Sequence, residues 1–498
     1  MIATWFNAER FLLTLLLLLP LLISAVFSHF GKNQNGLAIW FNNFCYKLAP
    51  WLFLIVLTNL LIIIYPQLSL NIINLPLGLG LVFGLDHIAI GFLLAINFIW
   101  LLFAFYSAQL FKLHKQYLSH TWQKFFLFLI SLLCLLFCSQ SLITALFFYQ
   151  LLLFLSHYML KKHCPSYQEK SIGSFDLLLY FQIFLFFLVI VLLYQHNDNL
   201  LFLTSEAVAS NLNDNYLLIL LLLLLGLFLV ALVPAFLLLQ KLNLDIFWLF
   251  LWLFFGYSLP SLFIFSKVLN YFFGWQGLLF LLKNLQLNWF IAVFALYFVA
   301  LNVLLNTVKN LQSWFLLLFW QQLNFLIFTI LLHNLTSLDH IYLSIAGFVL
   351  LFLLLFFTIN NIKLYHQYHN LANYQGLFYK MPITSVLFLF GIAMATGIAP
   401  SIMMVDKIFL IKTLIKEKVF FAFVIILINA CSLGYSFYKF GKIFFINLHE
   451  FKNFTANKET LDFDLHLVLI PLTVAILSVL GIIFYPIIYN AISTGAMW

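Results

Sequence analysis

Residues Met381 to Leu410 read MPITSVLFLFGIAMATGIAPSIMMVDKIFL. The stretch is apolar enough to lie in a membrane, yet it holds Gly391, Gly397, Pro400 and an adjacent Asp406–Lys407 pair. Proline has no N–H, and its ring collides with the carbonyl four residues back, so Pro400 frees backbone polar groups around Thr396. Lipid offers those groups no partner; protein or cavity water must. An ionised lysine inside a span is costly and is retained where it faces protein or water, which makes Lys407 a functional candidate. Asp406 is its natural local counter-charge. Broken helices of this kind occur at ion sites of transporters.

The rest of the chain has the same character. With 65% hydrophobic residues, 63 Phe and only 8% charged residues, no soluble class fits. Spans of about 20 apolar residues recur about fourteen times. They fall near 11–30, 48–66, 87–107, 123–139, 141–160, 175–195, 216–239, 245–270, 287–306, 312–333, 340–360, 383–410, 419–438 and 465–490. The fold class is therefore all-α, a polytopic membrane protein of about fourteen transmembrane helices. The seventh span, with Pro234, and the twelfth are expected to be discontinuous. Residues 1–80 read as N-terminal transmembrane helices, 81–445 as the core, and 446–498 as a cytoplasmic loop and the last helix. The first span follows Glu9 and Arg10, and its long apolar run without a small-residue cleavage site predicts that it is retained.

The formal net charge of +8 follows topology rather than a nucleic-acid partner. Lysines crowd alternate loops, as at Lys112 and Lys115, Lys161 and Lys162, Lys241, Lys309, Lys363 and Lys380, and Lys439 and Lys442. The loop at 196–215 is instead acidic, with Asp198, Glu206 and Asp214. The positive-inside rule then places the lysine-rich loops in the cytoplasm and both termini outside it. Lys412, Lys416 and Lys418 depart from that pattern. The host is expected to be a bacterial inner membrane in preference to an organellar one.

Polar residues inside spans are few. Asp86 and His87 open the third span, where an aspartate reads first as a solvated helix cap. Gln150 and His157 in the fifth are two turns apart and share a face with room for water. Lys267 stands within two turns of its expected exit, where it could snorkel. Gln321, Gln322 and Asn324 form an uncharged polar strip in the tenth span. Asp339 and His340 open the eleventh, with Ser344 one turn on. The five cysteines, Cys45, Cys134, Cys138, Cys164 and Cys431, are scattered and read as inert thiols. His114, His120, His366 and His369 are loop histidines without ligand spacing, so neither a metal nor a cofactor is expected. No nucleophile–base spacing or phosphate loop suggests an enzyme.

At Met381–Leu410 the chain resembles the antiporter-like subunits shared by respiratory complex I, the Mrp cation/proton antiporters and the Dab inorganic-carbon transporters. Those families carry Met-Pro before a span, then Gly-Ile-Pro and a Lys or Glu beyond it. Here Met381, Pro382, Gly397, Ile398 and Lys407 match, with the proline displaced from Ala399 to Pro400. Asp86 to Ser107 resembles an Asp-Gly segment closing in Tyr-Ser, with His87 in place of Gly. Lys267 and Tyr271 keep a Lys-x-x-x-Tyr spacing, Pro234 matches the broken seventh helix, and His340 the histidine of the eleventh. The resemblance covers roughly residues 80–445.

The departures are physically coherent. Gln150 stands where the family has an acid, and Leu232, Gln312 and Ser344 where it has lysines. Losing both members of a buried pair is nearly neutral, whereas losing one strands a charge. Ser156, His157, Lys161, Lys162 and Pro165 are similar to the Dab membrane subunits, although the Glu and His around a Pro-Thr-Pro turn are missing.

The resemblance implies a proton- or cation-conducting membrane subunit, not itself an enzyme, that couples ion flow to at least one other protein subunit. In the Dab branch that partner is a soluble zinc-containing, carbon-dioxide-hydrating subunit. Lys407, Asp406, His340, Lys267, Gln150 and His157 form the expected ion pathway. His340 relays protons there, since imidazole titrates near physiological pH. The alternatives are a complex I subunit, part of a translocase, an Mrp Na+/H+ antiporter subunit, or a non-conducting scaffold.

Overall fold

In a computed structural model, the described residues are 48–57, 69–71, 80–113, 120–163, 172–197, 200–202, 246–273, 287–332, 338–365, 374–416, 420–445 and 465–493, with six single positions at 15, 19, 219, 222, 226 and 227. Most of the first and seventh expected spans, with Leu232 and Pro234, lie outside them. The chain divides into two units, Met1–Leu232 with Leu242–Leu281, and Val233–Lys241 with Leu282–Trp498.

In the first unit the apolar runs form α1 (Leu48–Leu57), α2 (His87–Leu113), α3 (His120–Phe137), α4 (Leu142–His163) and α5 (Ile172–Asn197). The next helix, α6, runs through four consecutive segments. Ile246–Phe250 and Leu259–Val268 are α-helical, and Leu251–Ser258 and Leu269–Phe273 are wound in the wider π form. Such bulges gather at functional sites. The first permits a close approach, because a Cβ on Gly256 would lie 2.5 Å from the Ser156 hydroxyl of α4. Phenylalanines fill this unit edge to face, as where Phe255 meets Phe103 at 5.7 Å and Phe126 at 5.4 Å.

A small ladder joins the helix ends. Strands β1 (Ser69–Asn71) and β2 (Val82–Gly84) pair antiparallel, Leu70 opposite Phe83. Bridges then link Phe83 to Ser139 and Ser141 to Leu201. Gly84 N–H donates to the Cys138 carbonyl (2.7 Å) and Phe202 N–H to that of Gln140 (2.9 Å). Three connections are thereby tied into one hydrogen-bonded patch, an addition to the all-helical expectation.

The second unit holds α7 (Leu287–Thr307), α8 (Leu311–Leu332), α9 (Leu338–Tyr365), α10 (Leu377–Lys380), α11 (Pro382–Thr396), α12 (Ile402–Lys416), α13 (Phe420–Phe445) and α14 (Leu465–Ser493). The twelfth expected span is broken, as its sequence predicts. α11 and α12 have 15 residues each. Either alone reaches about 22 Å, short of a hydrocarbon core about 30 Å thick. Small residues fix the start of α12. A Cβ on Gly347 of α9 would lie 2.9 Å from Met403, and one on Gly481 of α14 would lie 2.2 Å from Ile402. In lipid, where hydrophobic association is weak, such backbone approaches hold helices together.

Among the described residues six helical stretches are long and apolar enough to cross a membrane: Ile88–Tyr106, Leu142–Met159, Trp248–Phe272, Leu311–Thr329, Leu343–Leu364 and Phe423–Phe445. Large apolar side chains lie open on outer faces, including Phe184, Phe187, Leu296 and Tyr438. Such surfaces suit lipid, and the chain is an integral membrane protein.

Candidate functional site

Each unit holds one buried lysine from the expected pathway. In the first unit, Phe263, Lys267 and Tyr271 recur every fourth residue of α6 and share one side. The Lys267 ammonium is wholly buried; it donates to the Asp86 carboxylate (Nζ–Oδ2 3.1 Å) and to the Ser139 carbonyl (2.5 Å). The rings of Phe202 and Phe263 flank it, each 5.0 Å away. Tyr271 donates its hydroxyl to the same Asp86 oxygen at 2.9 Å. The ladder supplies the other half of the site, because Asp86 follows β2, Ser139 bridges to Phe83, and Phe202 bonds back to Gln140.

Asp86 is a cap, as its position predicts, with Oδ1 accepting from Ala89 N–H at 2.7 Å. It is also the counter-charge of Lys267, which the sequence did not reveal. Its side chain is only 12% exposed and that of Lys267 0%, so this lysine does not snorkel. Cation, carboxylate and phenol form a charge-balanced, hydrogen-bonded set, the condition under which burial is tolerated.

Gln150 and His157 both lie on α4. Gln150 is half-buried, and its amide nitrogen has no hydrogen-bond partner among the described residues. His157 is buried. Ser156 bonds the Leu153 carbonyl of its own helix at 3.0 Å.

In the second unit the site is built on the helix break. Gly397 ends α11 in the left-handed region (φ 80°). Gly397 N–H donates to the Met394 carbonyl (2.9 Å) and Ile398 N–H to that of Ala393 (3.3 Å), the paired closure of a glycine-capped helix. That closure leaves out the Ala395 carbonyl. The Lys407 ammonium, arriving from α12, donates to it. A cation is thus set against the negative end of α11. Glycine is required at 397 twice over, since a Cβ there would lie 2.5 Å from Lys407 Cδ. The ammonium also faces the Phe325 ring of α8, 5.2 Å from its centre. Pro400 lies in the linker beyond the end of α11, and the carbonyl that Lys407 takes, that of Ala395 beside Thr396, is left open by the Gly397 closure rather than by the proline.

Asp406 and Lys407 are both buried. Ser344 of α9 donates its hydroxyl to Asp406 Oδ1. A serine thus serves the aspartate directly. His340 stands one turn before Ser344 at the start of α9, and its side chain lies outside the described residues. Lys412, one of the lysines at odds with the charge pattern, lies on the exposed side of α12. The polar strip on α8 is buried, and Gln321 bonds Asn302 and Asn429.

The sequence pathway omitted Asp86, Tyr271 and the Ala395 carbonyl. The spacing of Lys267 and Tyr271 was the available signal for the phenol, and Gly397 with Pro400 for the carbonyl. Among the described residues no cluster of three or more His, Cys, Asp or Glu could hold a metal ion.

No family model and no curated protein matches this chain. Solved structures do. A chain of the membrane-bound sulfane sulfur reductase, an archaeal respiratory membrane complex, aligns over 97% of both chains at 14% identity with a TM-score of 0.70. A chain of the Mrp complex from Dietzia sp. DQ12-45-1b aligns over 97% of this chain and 96% of its own, at 12% identity and a TM-score of 0.69. A chain of respiratory complex I from Thermus thermophilus, solved with bound NADH, aligns over 94% and 95%, at 15% identity and a TM-score of 0.69. The fold is the one those membrane complexes share, as the resemblance at Met381–Leu410 implied.

Proposed function

We propose that this chain conducts protons or another small cation across its membrane and couples that flow to a partner subunit. The observation that carries the reading is Lys407, a buried ammonium at a helix break whose hydrogen-bond acceptor is the neutral Ala395 carbonyl. The Lys407 ammonium bonds a neutral carbonyl, and the Asp406 carboxylate beside it is bonded by Ser344, so a proton can leave Lys407 without breaking a hydrogen-bonded ion pair, whereas deprotonating Lys267 breaks its pair with Asp86. Lys407 is therefore the station for proton exchange. Asp406, tethered by Ser344, holds negative charge in the neighbouring position, and His340 relays to it. The Lys267–Asp86 pair is a fixed charge station of the first unit, where Gln150 and Leu232 replace the usual acid and base.

The alternatives within this fold are a subunit of a proton-pumping complex I or of an Mrp antiporter. Inorganic-carbon uptake with a soluble zinc-containing partner is the finer reading, motivated by Ser156, His157, Lys161 and Lys162. It is tested by purifying the chain with its bound partner and assaying zinc; a zinc-free partner refutes it. The host membrane is a bacterial inner one with both termini outside the cytoplasm, as the loop lysines motivate.

One observation favours a second reading, a scaffold that no longer conducts: the missing charges at Gln150, Leu232, Gln312 and Ser344. Reconstitution of the full chain in liposomes separates the two. Proton or sodium flux above that of protein-free liposomes supports conduction; no flux from a chain that still binds its partner supports the scaffold.

A further inference from the structure

The face between α7 and α13 is polar over the half of it that holds the C-terminal end of α7. On α13, Asn429, Ser432, Ser436 and Lys439 recur at spacings of three and four and so form one stripe. Asn302 and Asn306, one turn apart on α7, lie against it. Asn429, Ser432, Ser436 and Asn302 are all buried.

The groups are linked in series. Gln321 of α8 donates to Asn302 Oδ1 (2.5 Å) and Asn429 Oδ1 (2.9 Å). Ser432 donates to the Asn302 carbonyl (3.3 Å) and accepts from Asn306 Nδ2 (3.0 Å). Ser436 donates to Asn306 Oδ1 (3.1 Å). Lys439 closes the series on the carbonyls of Asn306 (3.2 Å) and Val308 (3.0 Å) at the C-terminal end of α7. Asn429 to Lys439 spans about 15 Å of helix, half of a hydrocarbon core about 30 Å thick. The series therefore runs from mid-helix to the end marked by Lys309 and Lys439.

Interhelical glue alone would satisfy its own groups. Here Gln321 Oε1, both amide atoms of Gln322 and Asn429 Nδ2 are buried with no partner among the described residues. Leaving such bonds unmade is costly, and interiors place water at such points. Phe325, one turn beyond Gln321 and Gln322, is the ring that faces the Lys407 ammonium.

We propose that this face is a water-lined branch carrying protons between the Gln321–Gln322 amides, beside the Lys407 contact, and the Lys439 end. It rests on the conducting reading above. The amides hold waters, and the hydroxyls of Ser432 and Ser436 take a proton on one side and release one on the other.

Two measurements test it. In the full chain in liposomes, Asn429→Leu removes a water-holding amide and Asn306→Leu the amide that holds the hydroxyls of Ser432 and Ser436, and each lowers proton flux by about tenfold or more, the loss of about 1.4 kcal/mol. Wild-type flux in both variants overturns the proposal while leaving conduction standing. If the wild-type chain shows no flux, the conducting reading fails, and hydration is still read directly. In a background with the five native cysteines replaced, Ser432→Cys and Ser436→Cys are modified in membranes by a small cationic methanethiosulfonate reagent. Ser385→Cys and Ser478→Cys, at buried positions bonded within their own helices, are not. Absence of modification at 432 overturns the proposal.

Discussion

Gly397→Ala is the most informative single change, because one methyl group acts on both the backbone and the lysine. At φ 80° an alanine bears a left-handed penalty of roughly 1–2 kcal/mol. Its Cβ would also lie 2.5 Å from Lys407 Cδ. That carbon belongs to a flexible side chain, so the contact is relieved by moving Lys407, at the cost of its bond to the Ala395 carbonyl. A charged hydrogen bond contributes about 1.5–3 kcal/mol, so occupancy of the docked position falls by roughly 10- to 150-fold. Proton flux in liposomes and thermal unfolding of the solubilised chain are the two assays. Both drop together in Gly397→Ala. The control is Gly434→Ala in α13, where an added Cβ meets nothing within 4 Å. That change gains helix propensity of up to about 1 kcal/mol and leaves flux intact. A Gly397→Ala chain that unfolds and conducts like wild type would refute the reasoning about the helix break.

Two further changes test the packing around the lysines. Asp86→Asn leaves the Lys267 ammonium buried without its carboxylate and destabilises the chain by about 3–5 kcal/mol, whereas Asp86→Asn with Lys267→Met recovers most of that loss; thermal unfolding of single and double variants reads it. Gly481→Ala drives a methyl into Ile402, whose Cδ1 would be 2.2 Å away, and costs about 1–3 kcal/mol, relieved by adding Ile402→Ala; equal unfolding temperatures for the two chains would count against the close approach.

The helices were legible because lipid imposes one rule on every span, an apolar run with its backbone satisfied internally. The break in the twelfth was legible too, since Gly397 and Pro400 are local signals. Which carbonyl the break would expose was not. It depends on how the Gly397 closure distributes the last carbonyls of α11, a matter of dihedral angles rather than residue type. Asp86 illustrates the other limit. Its capping role is written in three residues of local sequence, but its partnership with Lys267 is made by the ladder through Ser139 and Phe202, distant in the chain. The π segments of α6 left no sequence signal beyond Gly256. The stripe from Asn429 to Lys439, by contrast, stands in the sequence at helical spacing; what gives it meaning is the pair of asparagines on α7 that faces it.

Ion movement through this chain is expected to depend on the lysine held at the break. Proton flux through liposomes containing the full chain, wild type beside Lys407→Ala at matched amounts of folded protein, tests it most directly. Loss of flux in the variant with folding and partner binding unchanged is the predicted result. Flux equal to wild type in Lys407→Ala would contradict the account.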